Sequence, residues 1–316
     1  MGYPIDDKLV VGISTNALFD LRIEHSVFEE KGLDAYKKIQ HEKRHAILPK
    51  GCAFPFIRRF LKINEIYHEE KPVEVILLSR NNPEISPRVF RSIQEYKLNI
   101  TRACFTSGDA PYKYIPAFNV SLFLTANAKD AKEAILNKYP AGVILPTIIH
   151  DDENDSELRI AFDFDGVIAD DEAEKVYKKS NQLDLFHQHE VENVNIPLNP
   201  GVLASFFKKI SFFQKLESKR LQKNYIKNKI LKTAIITARN APSHERAINT
   251  LKSWNVEVDE MFFLGGIEKK RILETLKPHI FFDDQLDHLD TRIKDIPLVH
   301  IPFGIANEPK KIKKDN

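Results

Sequence analysis

Two aspartates one residue apart, Asp163 and Asp165, close the apolar run Leu158–Phe162 and lead into Gly166 (LRIAFDFDG). A short apolar run ended by a turn signal predicts a buried strand of a parallel sheet. Side chains alternate along a strand, so both carboxylates leave its end on the same side. The carboxyl end of a central strand is where open α/β sheets bind ligands. Like charges converging there call for a cation between them, and a hard, oxygen-rich site suits magnesium. Three further features follow in chain order. Thr237 comes directly after the apolar run Thr233–Ile236 and before a helix starting near Pro242. A hydroxyl and backbone N–H groups at such a junction make an anion site. Lys269 opens the helical stretch Lys269–Leu276, and Asp283-Asp284 follow the apolar run His279–Phe282. Singly these are a helix start, a solvated lysine and a turn. In this order, each after a strand end or loop, they are hard to explain that way.

The elements that must position these groups alternate along the chain. Strands are expected at Lys8–Ser14, Val73–Leu78, Ala103–Thr106, Val120–Leu124 and Gly142–Leu145, with helices at Val27–Gln40, Phe54–Tyr67, Pro87–Tyr96 and Lys129–Lys138. Such alternation predicts βαβ units and a parallel sheet flanked by helices. The order then recurs. Leu158–Phe162 answers Lys8–Ile13, and Leu198-Asn199-Pro200-Gly201 answers Leu48-Pro49-Lys50-Gly51. Leu231–Ile236 answers Pro72–Leu78, and Asp283-Asp284-Gln285 answers Thr125-Ala126-Asn127. From the second strand onward the copies stay in gapless register, at a spacing far beyond any solenoid repeat. The expectation is two tandem α/β copies, residues 1–150 and 151–316, joined at the polar stretch His150–Glu157. Ser14 and Asn16 stand in the places of Asp163 and Asp165, Ser79 for Thr237, Pro111 for Lys269 and Thr125 for Asp283. The first copy is therefore read as catalytically silent.

The chain has 316 residues, 47 Lys and Arg against 45 Asp and Glu, and a formal charge of +2. That balance gives no reason to expect a nucleic acid polymer or a membrane as partner. The basic cluster Lys310-Lys311-Ile312-Lys313-Lys314 reads as a solvated tail. Cys52 and Cys104 have no paired spacing and no metal-ligand pattern, which fits a reducing compartment. The first residues lack a basic segment followed by an apolar one, Asp6 stands where a myristoylation signal wants Ser or Thr, and no apolar run is long enough to span a bilayer. A cytoplasmic protein is expected.

The four chemical elements resemble motifs I to IV of the haloacid dehalogenase (HAD) superfamily of phosphotransferases. More narrowly, the chain resembles the type I, AMP-preferring cytosolic 5′-nucleotidases over nearly its whole length. The stretches carrying the likeness are ALFD (17–20), AFPF (53–56), TAR (237–239), LKSW (251–254) and, most specifically, PHIFFDDQ (278–285). Phe164 and Gly166 depart from the pattern without touching a catalytic position. The resemblance implies a HAD-like Rossmannoid sheet and phosphomonoester hydrolysis. It makes Asp163 the nucleophile that forms an aspartyl-phosphate, and Asp165 first the acid for the leaving ribose oxygen, then the base for water. It places magnesium on Asp163, the carbonyl of Asp165 and Asp283, with Asp284 supporting those ligands or adding one. Thr237 and Lys269 would bind the transferring phosphoryl oxygens.

The segment Asp170–Leu231 leaves no room for a large cap domain, with helices expected at Glu172–Ser180 and Val202–Leu221. The silent half is therefore expected to pack over the site and help form a base pocket. Candidates for holding the base are Phe54, Phe56, Asn81, Asn82, His25 and Arg239, an aromatic or guanidinium face plus polar groups. Asp287 and His288 are read as structural. The expected partner is a nucleoside monophosphate substrate; a homo-oligomer and a nucleotide effector stay open. A phosphatase for sugar phosphates, or a nucleotide-binding regulator that has lost activity, are the competing readings, and the intact acidic set speaks against the second.

Overall fold

The computed structural model describes residues 3–308 apart from positions 181, 224 and 227, so the basic tail lies outside the described residues. The strands are β1 Leu9–Ile13, β2 Val73–Ser79, β3 Arg102–Phe105, β4 Val120–Thr125, β5 Ala141–Ile144, β6 Leu158–Phe162, β7 Leu231–Thr237, β8 Glu260–Phe263, β9 Ile280–Asp283 and β10 Leu298–His300. The α-helices are α1 Thr15–Leu18, α2 Arg22–Glu42, α3 Phe54–Ile66, α4 Ser86–Glu95, α5 Ala128–Leu136, α6 Glu172–Ser180, α7 Leu183–Glu192, α8 Ala204–Gln222, α9 His244–Ser253 and α10 Lys269–Leu276.

Among the described residues ten strands join one sheet in the order β3-β2-β1-β4-β5-β10-β9-β6-β7-β8. Every neighbouring pair is parallel except β5 with β10. Read inward from β8, the second half runs β8-β7-β6-β9-β10, the same order as β3-β2-β1-β4-β5 in the first. The halves therefore meet edge to edge at the antiparallel seam, where Val299 pairs with Ile144 and His300 with Val143. The seam replaces the expected arrangement: the first half extends the sheet sideways and does not lie over the second.

Strands buried on both faces must be apolar at successive positions. Leu9, Val10, Val11 and Ile13 satisfy this, as do Val75 to Leu78. On one face a single core runs through both halves, joining Val11, Leu77 and Leu124 to Ile160, Phe162 and Phe282 under α3, α4, α8 and α9. On the other face the core is divided, with Ala131 and Ala134 of α5 covering one half and Leu273 of α10 the other.

The stretch after β5 reads as a linker by composition, yet the fold ties it down. The Asp151 side chain, 3% exposed, takes Arg58 at 2.7 Å and Arg59 at 2.6 Å from α3. α2 also differs from expectation. It starts at Arg22 and is broken at Gly32 (φ 78°, ψ −174°), a left-handed φ that favours glycine, so it is a bent pair of helical segments.

Candidate active site

The carboxyl ends of β6, β7 and β9 converge because these strands are parallel and adjacent. Phe162 pairs with Phe282, which sets Asp163 beside Asp283, and the Asp163 N–H donates to the Phe282 carbonyl at 2.7 Å. The chain then turns through Gly166 at φ +74°; a Cβ there would lie 2.5 Å from Asp284 Oδ2. Glycine thus serves both the left-handed turn and the approach of the Asp284 carboxylate. Thr237 ends β7, buried, with its hydroxyl accepting the Arg239 N–H at 3.2 Å. Lys269 opens α10, and its Nζ lies 2.7 Å from Asp163 Oδ2 and 2.6 Å from Asp283 Oδ2. The structure brings Asp163, Asp165, Thr237, Lys269, Asp283 and Asp284 to one end of the sheet.

Three buried carboxylates, Asp163, Asp283 and Asp284, here face one buried ammonium. Burial pushes the Asp163 carboxyl up to about 7 against the pull of Lys269, with Asp283 and Asp165 pushing the same way. Burial also pushes Asp284 up to about 9, helped by Asp163, Asp283 and Glu174. Burial opposes charge on Asp283 too, but Lys269 and His288 hold it below the usual carboxylate range. Lys269 loses solvation, yet Asp163 and Asp283 keep its ammonium more strongly protonated than usual. The excess negative charge marks a place for a cation, whose own charge would reverse both upward shifts.

The free donor atoms say which residues could hold it. Asp163, Asp283 and His288 each offer a ligand atom within 4.8 Å of one another. Asp283, however, is already engaged: Oδ2 takes Lys269, while Oδ1 accepts the Gln285 N–H at 2.8 Å and lies 3.2 Å from His288 Nδ1. Asp284 is 1% exposed and neither of its oxygens has a partner among the described residues. A buried carboxylate with both oxygens unsatisfied is costly unless an ion completes it. Asp163 is engaged in the same way as Asp283, Oδ2 by Lys269 at 2.7 Å and Oδ1 by the Phe164 N–H at 2.7 Å, so Asp284 is the carboxylate with free oxygens for a hard divalent cation, beside Asp163 and Asp283.

A cavity of about 400 Å³ opens over this end of the sheet. Asp163, Asp165 and Thr237 line it at the sheet, while Tyr177, Leu183 and Phe186 come from the α6–α7 hairpin. The Tyr177 and Phe186 rings meet edge to face with centroids 6.5 Å apart. The hairpin, supplied by the second half itself, is the cover that sequence reasoning assigned to the first half. Of the six residues expected to hold a base, only Arg239 lines the cavity. Phe54 and Phe56 are buried in the first-half core, where an apolar helix start packs under the sheet. Asn82 caps a short turn by accepting the Glu84 N–H at 2.9 Å, and Asn81 lies at the end of β2. His25 is exposed beside Glu29 on α2.

Arg239 proves to be internal. Its Nε and Nη2 reach Asp165 Oδ2 and Oδ1 at 2.8 and 2.7 Å, and Nη1 pairs with the buried Glu190 of α7. Burial works against its charge, but Asp165 and Glu190 raise it above even the usual guanidinium range. Glu190 also takes Arg246 of α9 at 2.8 Å, and Arg246 reaches Glu172 of α6 at 3.1 Å. The hairpin is thus fastened by charge, and Glu190 is the one buried residue of α7. That is why α7 escapes a search for apolar periodicity, and why Tyr177, Leu183, Phe186, Glu190 and Arg246 went unnoticed. The available signal was Glu190 in a helix and Arg246 on another, which nothing in one sequence pairs.

The 5′-nucleotidase family profile matches residues 1–308. The chain is 32% identical over 294 residues to human (Homo sapiens) cytosolic 5′-nucleotidase 1B, a match covering 90% of this chain and 47% of that protein. It therefore spans about half the length of the curated relative. No solved structure matches the chain. With a family match over nearly the whole chain and the convergent acidic site in place, the chain belongs to the 5′-nucleotidase family.

Proposed function

We propose that this chain hydrolyses nucleoside 5′-monophosphates, AMP foremost, to nucleoside and phosphate. The observation that carries the reading is Lys269 wedged between Asp163 and Asp283, beside Asp284 whose oxygens have no partner among the described residues, with Asp163 itself lining a cavity that has an aromatic wall. Asp163 attacks phosphorus as a carboxylate and takes the phosphoryl group as an aspartyl-phosphate. Lys269 and the Thr237 hydroxyl bind the phosphoryl oxygens as their charge redistributes. Asp165 protonates the departing ribose 5′-oxygen and then takes a proton from the attacking water. Asp163, the Asp165 carbonyl and Asp283, with Asp284 in support, would hold magnesium, which would supply charge neutralisation at the phosphoryl group.

Tyr177, Leu183 and Phe186 line the cavity with apolar surface, and an aromatic ring face is the kind of surface a nucleobase stacks on. That surface favours a nucleotide over a sugar phosphate. Residues 1–150 and 151–316 are read as tandem copies of one HAD-like unit, the first without the acidic groups and catalytically silent. The balanced charge and two free cysteines suit a cytoplasmic enzyme. Phosphate release from AMP, dAMP, IMP, CMP and sugar phosphates, with magnesium and with chelator, tests the reading. Magnesium-dependent release from AMP is expected; turnover of sugar phosphates alone would overturn it.

A further inference from the structure

The two halves fasten their helical hairpins with the same device, and the difference between them separates structure from chemistry. In the first half Arg88 of α4 donates through Nε to the Ala46 carbonyl at 3.0 Å and through Nη1 to Glu24 and Gln40 of α2, at 2.6 and 3.3 Å. In the second half Arg246 donates through Nε to the Ile196 carbonyl at 2.9 Å and otherwise to Glu172 and Glu190. The surroundings match as well. The Ser92 hydroxyl donates to the Arg88 carbonyl and accepts the Leu48 N–H, as Thr250 does with Arg246 and Leu198. Arg246 is therefore a clamp that both halves keep, with or without chemistry.

Arg239 is not kept. Its place in the first half, two residues past the end threonine or serine of the strand, is Asn81. Asn16 replaces Asp165, and the residue facing the arginines is neutral Gln40 where the second half has Glu190. Arginine, its carboxylate partner and the balancing glutamate are thus absent together where the nucleophile is absent. We infer that Arg239 is the positioning residue for Asp165, pinned from behind by Glu190, and that it aims the Asp165 proton at the leaving oxygen. The inference rests on the nucleotidase reading above. A guanidinium has donors and no acceptor. When Asp165 carries a proton, its O–H cannot face Arg239 and must turn into the cavity, where the ester oxygen lies. On P–O cleavage that proton passes to the ribose 5′-oxygen, the phosphoryl group goes to Asp163, and Asp165 returns to the carboxylate that accepts both Arg239 bonds.

The test is a leaving-group comparison on the full chain with magnesium, using AMP and its analogue with sulfur in the bridging 5′ position, whose thiolate departs without a proton. The variant Arg239→Asn with Glu190→Gln removes one charge of each sign and copies the Asn81/Gln40 pair. The measured quantity is kcat/KM, which reports only the steps up to phosphoryl transfer. We expect a loss of ~100-fold or more on AMP but under ~10-fold on the analogue, as for a missing proton donor. Arg246→Lys, which loosens the clamp alone, should lower both substrates by the same factor. The ratio of the two losses does not depend on how much of the variant folds. Equal losses on both substrates for the Arg239 variant, total loss included, would overturn the positioning role. A wild type inactive on every nucleoside monophosphate would instead contradict the nucleotidase reading itself.

Discussion

At the scale of single residues, the account turns on Asp283 and Asp284, neighbours in sequence with opposite fates. Asp283 is engaged by Lys269, Gln285 and His288, while Asp284 is buried with neither oxygen partnered among the described residues. Asp284→Asn should therefore stabilise the metal-free protein, because the amide brings no charge that burial opposes on folding. The same variant should lose the rise in thermal midpoint that magnesium gives the wild type. Differential scanning with and without magnesium reads both effects; an unchanged magnesium shift would leave the ligand role to Asp163 and Asp283 without Asp284. Asp163→Asn should abolish turnover and leave the fold, which activity and circular dichroism together check. These residues were legible in sequence because strand-end carboxylates announce themselves by position. Which of two adjacent aspartates has free oxygens was not, since that depends on Lys269 and His288 arriving from other elements.

At the scale of elements, the α6–α7 hairpin forms the wall of the cavity. Tyr177→Ala or Phe186→Ala should raise KM for AMP with a smaller effect on kcat, by a factor matching the ~1–3 kcal/mol of a stacked base. Steady-state kinetics decides it, and an unchanged KM in both would remove the base from that wall. The β6–α6 turn is equally exacting. Gly166→Ala adds strain at a positive φ and drives a methyl against Asp284 Oδ2, so it should lower both stability and magnesium affinity. Strand positions could be read from apolar runs, because both sheet faces are covered. The base pocket could not. Phe54 and Phe56 carry the aromatic signal of a binding site but serve the core, whereas α7 is held by Glu190 and shows no apolar stripe.

At the scale of the whole molecule, one sheet and one shared core join the halves, so they should unfold together. The recurring order of elements was legible in sequence; the antiparallel seam was not, because β10 lies near the end of the chain and returns to pair with β5. The tied linker contributes its own pH dependence. Burial, with Arg59 and Arg159 nearby, pushes His279 down to about 3, and its Nδ1 accepts the Arg159 N–H at 3.0 Å. A depressed histidine favours the fold fully above the unfolded value near 6.5 and loses that contribution as pH falls below it. The loss is about 1.4 kcal/mol per pH unit, or roughly 2 kcal/mol by pH 5. Urea unfolding of wild type and His279→Asn should show their stability gap shrinking by that amount between pH 7 and pH 5. A constant gap would mean His279 takes up its proton equally readily in the folded and unfolded chain. For the molecule as a whole, the deciding measurement is phosphate release from AMP by wild type and Asp163→Asn, each with magnesium and with chelator. Release by wild type with magnesium alone is the expected result; release that persists in chelator or in Asp163→Asn would contradict the proposed chemistry.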